Sequence, residues 1–159
     1  MEEKIPMTRQ GYENLQAELN KLRFEDRKEV VAAIEEARAH GDLSENAEYH
    51  AARERQSFIE GRILELEAVI CRVQVIDVEK LSGNKVLFGA TVDLEEEETG
   101  KKTTYKVVGQ YEANLEKGLL SLQAPLARAL IGKEVGDFVE FNTPSGTKVY
   151  EILGVRFVA

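Results

Sequence analysis

Between residues 52 and 73 the positions Ala52, Gln56, Ile59, Ile63, Leu66, Ile70 and Val73 keep a 4,3 alternation in which only Gln56 is polar. That repeat keeps one stripe of a helix turned towards a partner, so it demands a second helix lying along the first. A partner stripe stands upstream. Tyr12, Leu15, Leu19 and Leu22 follow at 3,4,3 spacing after Thr8, a favoured N-cap type. The polar run Glu25-Asp26-Arg27-Lys28-Glu29 interrupts this stripe before it resumes at Val31 and Ile34. The short connection Ala39-His40-Gly41-Asp42-Leu43-Ser44-Glu45 makes the two helices antiparallel neighbours. Arms of about 30 residues predict a rod ~45 Å long at 1.5 Å rise per residue, with this connection at its far end.

The chain changes character after residue 76. Glycine is sparse in the first half (Gly11, Gly41 and Gly61), whereas β-branched and aromatic runs separated by Gly, Asn and Pro fill the second. Val86, Phe88, Ala90, Val92 and Leu94 alternate as in a half-buried strand, and Thr99-Gly100 offers a turn before Tyr105-Lys106-Val107-Val108. Phe138–Phe141 and Val149–Ile152 flank Thr143-Pro144-Ser145-Gly146, a second hairpin signal. Pro125 opening Leu126–Ile131, closed by Gly132, predicts one short helix. The expected fold class is therefore α+β, with an antiparallel coiled-coil hairpin over residues 1–76, a linker at 77–84 and a β-sheet domain over 85–159.

A net charge of −8 argues against a broad basic face for coating nucleic acid, since phosphate binding depends on clustered Lys and Arg. It leaves open a local basic patch or a protein partner with a basic surface. No apolar run is long enough to span a membrane, and the acidic start Met1-Glu2-Glu3-Lys4 has no signal-peptide core, so a cytoplasmic location is expected. The single cysteine, Cys71, lies among Ile70, Val73 and Val75 and is read as a small buried apolar residue. Phosphate-binding glycine loops, HExxH, CxxC and GxSxG are all missing.

What remains is the hairpin end, where Asp42 and Glu45 stand three residues apart. Asp-x-x-Glu has the spacing of a capping box, with Asp42 as N-cap; Ser44 is an equally good cap type. In that case the carboxylates only start a helix. The functional alternative is that two exposed carboxylates complete a metal site supplied by another molecule. They are too few to hold Mg²⁺ alone, but in two-metal phosphodiester chemistry extra carboxylates can secure a weakly held ion. Arg38 and Arg53 stand near the same end and suit RNA phosphates or bases; the competing reading pairs these arginines with Glu48, Glu35 or Glu54 along the helices, and for Arg55 that reading is preferred. His40 and His50 flank the loop at a spacing that matches no familiar zinc pattern.

The stretch from Glu36 to Glu54, with its core Gly41-Asp42-Leu43-Ser44-Glu45-Asn46-Ala47-Glu48-Tyr49, resembles the tip of the Gre transcript-cleavage factors, and most of all their GreA branch. Pro6-Met7-Thr8 with Gly11, Leu15, Glu18 and Leu19 resembles the family's start, and Phe58–Ile63 its second helix. Pro125–Lys133 and Thr143-Pro144-x-Gly146 resemble its C-terminal domain, so the likeness runs along nearly the whole chain. It implies a coiled coil that enters the secondary channel of bacterial RNA polymerase when the enzyme has backtracked. Asp42 and Glu45 would help hold the second Mg²⁺ of the polymerase active site, with Ser44 assisting, so that the polymerase cuts the nascent RNA 3′ end. Arg38 and Arg53 would contact that RNA. An FKBP-like C-terminal domain would dock at the channel rim, around Asn114, Ala124 and Pro125.

The resemblance further implies a factor that is no nuclease alone, carries no cofactor of its own and acts as a monomer. The chain departs from the family pattern at Asn114, where Asp is expected, at Ala124, where Ser usually precedes the proline, and at Lys28, where a proline often follows Arg27. Three alternatives compete: a channel-binding inhibitor of the polymerase with the same fold, a coiled-coil adaptor without chemistry, and a self-sufficient metal-dependent nuclease. Inhibitory relatives differ at the tip, and the intact Asp42 and Glu45 argue against the first; too few ligands argue against the last.

Overall fold

The computed structural model describes residues 3–42 and 46–159. Its fold class is the expected α+β, and the chain divides into two compact units. One unit takes Tyr12–Val73; the other takes Gln74–Ala159 together with Lys4–Gly11.

The helical unit contains α1 (Arg9–Lys21) from Tyr12 onward, a π turn (Leu22–Asp26), α2 (Arg27–Arg38) and α3 (Ala47–Ile70). Thr8 does cap α1, its hydroxyl accepting the Gly11 N–H at 3.1 Å. Through the polar run the chain stays helical, but Arg27 N–H bonds back to the Leu22 carbonyl, five residues away, and this widens one turn. An unbroken 4,3 alternation from Leu15, Leu19 and Leu22 would put Glu29, Ala33 and Glu36 in the seam. The extra residue of the π turn puts Val30, Ile34 and Ala37 there instead, all buried. Val31, expected in the seam, is 41% exposed.

On α3 the buried positions are Ala52, Ile59, Ile63, Leu66 and Val69. Gln56 is half-buried, while Ile70 yields its expected place to Val69 at the end of the helix. Cys71, expected inside, is exposed, because it caps the C-terminus of α3 where the chain leaves the seam. Ion pairs cross between the helical segments: Arg62 to Glu18 at 2.9 Å, Arg23 to Glu67 at 2.8 Å, Arg27 to Glu60 at 2.8 Å and Arg55 to Glu29 at 3.4 Å. Two of them, Arg62–Glu18 and Arg27–Glu60, use two guanidinium nitrogens against two carboxylate oxygens, which favours one register of the hairpin.

In the second unit β1 (Ile5–Thr8) pairs with β2 (Val73–Ile76), and a five-stranded sheet runs in the order β5-β4-β3-β7-β6. Its strands are β3 (Thr91–Glu96), β4 (Lys102–Val108), β5 (Leu119–Ser121), β6 (Phe138–Thr143) and β7 (Gly146–Arg156). Both expected hairpins form, β3–β4 across Thr99-Gly100 and β6–β7 across Pro144-Ser145. Only β5 joins in parallel, beside β4 at the sheet edge. The expected short helix is α4 (Pro125–Leu130), whose Leu126, Ala127 and Leu130 close the core over Val92, Leu94, Val107, Val139 and Ile152.

The alternation from Val86 to Leu94 is not one strand. β3 starts only at Thr91, and Gly89, at a φ of 85°, turns the chain before it. Val86 is nonetheless fully buried, exchanging backbone hydrogen bonds with Gly132 and Lys133 after α4. Segment 77–84 includes a 3-10 turn, Val78–Lys80, with Val78 buried against Gly89. Glu112 ties β1 to the sheet domain: its carboxylate accepts the N–H groups of Thr8 at 3.0 Å and Gly109 at 2.8 Å, and the Thr8 hydroxyl. A Cβ on Gly11 would overlap that carboxylate, which explains a glycine inside the first turn of α1.

Candidate functional site at the hairpin end

The last turn of α2 closes through Ala39, whose N–H reaches the Glu35 and Glu36 carbonyls. His40 N–H then bonds the Ala37 carbonyl at 3.2 Å and Gly41 N–H the Arg38 carbonyl at 3.3 Å. Gly41 follows at a φ of 110°, a backbone state that side chains resist. Among the described residues nothing lies within 4 Å of where its Cβ would be, so the glycine serves the turn. Asp42 comes next and is exposed. Leu43, Ser44 and Glu45 lie outside the described residues, so the separation of Asp42 from Glu45 and the placing of Ser44 are not part of the geometry here.

The N-cap of α3 is Asn46, not Asp42 or Ser44. Its side-chain oxygen accepts the Tyr49 N–H at 3.0 Å, and its amide nitrogen donates to the Ala37 carbonyl at 2.7 Å. One side chain thus satisfies an orphan donor at the start of α3 and adds a donor to a carbonyl in the last turn of α2. Glu48 stands in the first turn of α3, where the helix dipole favours an acid. Asn is a favoured cap type, but Asp-x-x-Glu imitates a capping box at Asp42, and acids after Ser44 imitate a first helical turn.

Arg38 lies over the Tyr49 ring, its guanidinium carbon 6.0 Å from the centroid, and His50 meets the same ring edge-on at 5.6 Å. Arg53 is exposed on α3, while Arg55 forms an ion pair as expected but with Glu29 across the hairpin, not with Glu48, Glu35 or Glu54 along the helices. His40, His50, Asp42 and Glu48 form no metal-ligand group, nor do any three His, Cys, Asp or Glu among the described residues.

Asn114, Ala124 and Pro125 belong to the other unit and flank β5. Asn114 bridges to Leu119 and caps a 3-10 turn, Leu115–Lys117, by accepting the Glu116 N–H at 3.1 Å. Asp would accept the same bond, so the departure here keeps the local structure. Ala124 is the N-cap of α4 and makes no side-chain cap bond, whereas a Ser could. Pro125 is exposed at the first helical position.

These observations define a two-unit α+β protein whose helical hairpin ends in an acid-bearing turn flanked by arginines. The chain matches the family model described as transcription elongation factor, N-terminal, over residues 5–75, and that described as transcription elongation factor, GreA/GreB, C-term, over residues 81–157. Transcription elongation factor GreA of Caulobacter sp. (strain K31) is 58% identical over 156 residues, covering 98% of this chain and 99% of that protein. The GreA protein of Rhodospirillum rubrum is 59% identical over 155 residues with the same coverage. A crystal structure of Thermus aquaticus Gfh1 is 29% identical, covers 98% of this chain and 99% of its own, and superposes with a TM-score of 0.45. The chain belongs to the GreA/GreB family of transcription elongation factors.

Proposed function

We propose that this elongation factor binds the secondary channel of bacterial RNA polymerase and stimulates the polymerase's own endonucleolytic cleavage of the nascent RNA 3′ end in backtracked complexes. The observation that carries the proposal is the match of the chain to both GreA/GreB family models, joined to an exposed Asp42 in the turn that follows α2.

In this proposal Asp42 and Glu45 are the residues that would hold Mg²⁺ together with ligands of the polymerase. The ion would supply charge neutralisation and water activation for phosphodiester hydrolysis. Ser44 assists beside them. Arg53 and Arg38 hold the RNA 3′ segment, with Tyr49 supporting the Arg38 guanidinium from one side. Docking falls to the β5 edge around Asn114, Ala124 and Pro125. The factor works as a cytoplasmic monomer; among the described residues no helix is long and apolar enough to cross a membrane.

The test is RNA cleavage in a stalled, backtracked elongation complex with wild type, Asp42→Ala/Glu45→Ala or no factor, and polymerase-free RNA as control. Wild type is expected to raise the cleavage rate and the double variant to lose most of that gain, roughly a hundredfold where a metal-holding pair is removed. Free RNA should remain intact. Binding of wild type to polymerase with cleavage at the no-factor level would sink the proposal in favour of a channel-binding inhibitor of the same fold.

A further inference from the structure

We propose that Asn46 is a positioning residue for the cleavage chemistry: its amide clasps the start of α3 to the end of α2 and thereby sets where the Asp42 carboxylate stands. This rests on the function proposed above for that carboxylate.

Three hydrogen bonds meet at Asn46. Its side-chain oxygen accepts the Tyr49 N–H at 3.0 Å, and its backbone carbonyl accepts the His50 N–H at 3.1 Å, so the residue is locked to α3. Its side-chain nitrogen reaches back to the Ala37 carbonyl at 2.7 Å, nine residues upstream on α2. Ala37 is itself a buried seam residue, only 2% exposed, so the clasp is anchored to the packed part of the hairpin. The same Ala37 carbonyl accepts the His40 N–H at 3.2 Å, and Gly41 N–H bonds the Arg38 carbonyl at 3.3 Å, so the clasp meets the turn that leads directly into Asp42. A second cross-link runs beside it, from Arg38 at the end of α2 to the ring of Tyr49, the residue whose N–H Asn46 caps.

A closed root matters because metal-assisted chemistry depends steeply on donor placement; a misplacement of ~1 Å can cost about a hundredfold in rate. Capping α3 does not require the clasp. Asp and Ser cap helices about as well as Asn. Neither reproduces the amide, since a carboxylate cannot donate and the Ser hydroxyl stands on a shorter side chain. The two roles of Asn46 are therefore separable by substitution.

Cleavage in backtracked complexes would be titrated with wild type, Asn46→Asp, Asn46→Ser and Asp42→Ala/Glu45→Ala. Asn46→Ser adds no charge and so controls for the extra negative charge of Asn46→Asp. On the free proteins, thermal denaturation and amide exchange at His40, Gly41 and Asp42 would be measured. Both Asn46 variants should melt close to wild type and half-saturate the polymerase at the wild-type concentration. Their maximal cleavage should fall roughly three- to tenfold, the scale of one hydrogen bond acting through position. The three amides should exchange faster than in wild type.

Maximal cleavage and amide exchange equal to wild type in both variants would overturn the clasp and leave Asn46 as a cap alone. A loss confined to melting temperature or half-saturation would overturn it as well. If wild type itself fails to stimulate cleavage, the proposed function is what fails, and the amide exchange still decides whether the clasp orders the loop.

Discussion

Asp93, at the centre of the sheet, accepts a hydrogen bond from the Thr104 hydroxyl at 2.6 Å and another from Arg156. These bonds, that from Thr104 first, hold its carboxyl below the ordinary value of 3.8. Because the folded state favours the ionised form, the stabilisation is complete above 3.8 and is lost as pH falls through the lowered folded value. Asp93→Asn is expected to destabilise by about 0.5–1.5 kcal/mol at pH 7, since half-exposed partners screen the pair. That difference should narrow as denaturation is repeated below pH 3.8; a constant difference would show that the charge is not what matters. Asp93 was silent in the sequence, because both of its partners come from other strands. Cys71 misled for a related reason: apolar neighbours in the chain say little about a residue that sits where a helix stops.

For whole elements, the hairpin turns, the short helix α4 and the helical stripes were legible, because each is written in local spacing and turn chemistry. The register of the first stripe was not. A π turn adds one residue without any composition that marks it, and the stripe resumes at Val30 instead of Val31. Val30→Ala is therefore expected to cost about 1.5–3 kcal/mol, as deleting a fully buried branched side chain does, whereas Val31→Ala should stay within ~0.5 kcal/mol. Chemical denaturation of the two variants measures both, and equal losses would contradict the shifted seam. The alternation from Val86 to Leu94 carries the complementary lesson. Val86, Ala90, Val92 and Leu94 are all buried in one core, but Gly89 turns the chain between them, so period-two burial arose without a continuous strand.

At the scale of the whole molecule, the proposed function assigns binding and chemistry to different units. Substitutions around β5 should change how much factor is needed, and substitutions at the hairpin end should change how fast cleavage can go. Restoring the family pattern with Asn114→Asp keeps the cap at Leu115–Lys117, and Ala124→Ser offers one to α4, so the pair is expected to lower the half-saturating concentration roughly three- to tenfold, the scale of one hydrogen bond, with maximal cleavage unchanged. A titration that moves the maximum and leaves half-saturation alone would contradict this division. The sequence by itself determined the fold class, the helical hairpin, the two β-hairpins and the family, because helix stripes, turn residues and motifs are short-range patterns along the chain. The tertiary structure alone decided the seam register, the parallel placing of β5, the cap of α3 by Asn46 and the closing of Glu112 onto Thr8, 104 residues away. Each depends on which donor or surface arrives from a distant segment, and no local periodicity records that arrival.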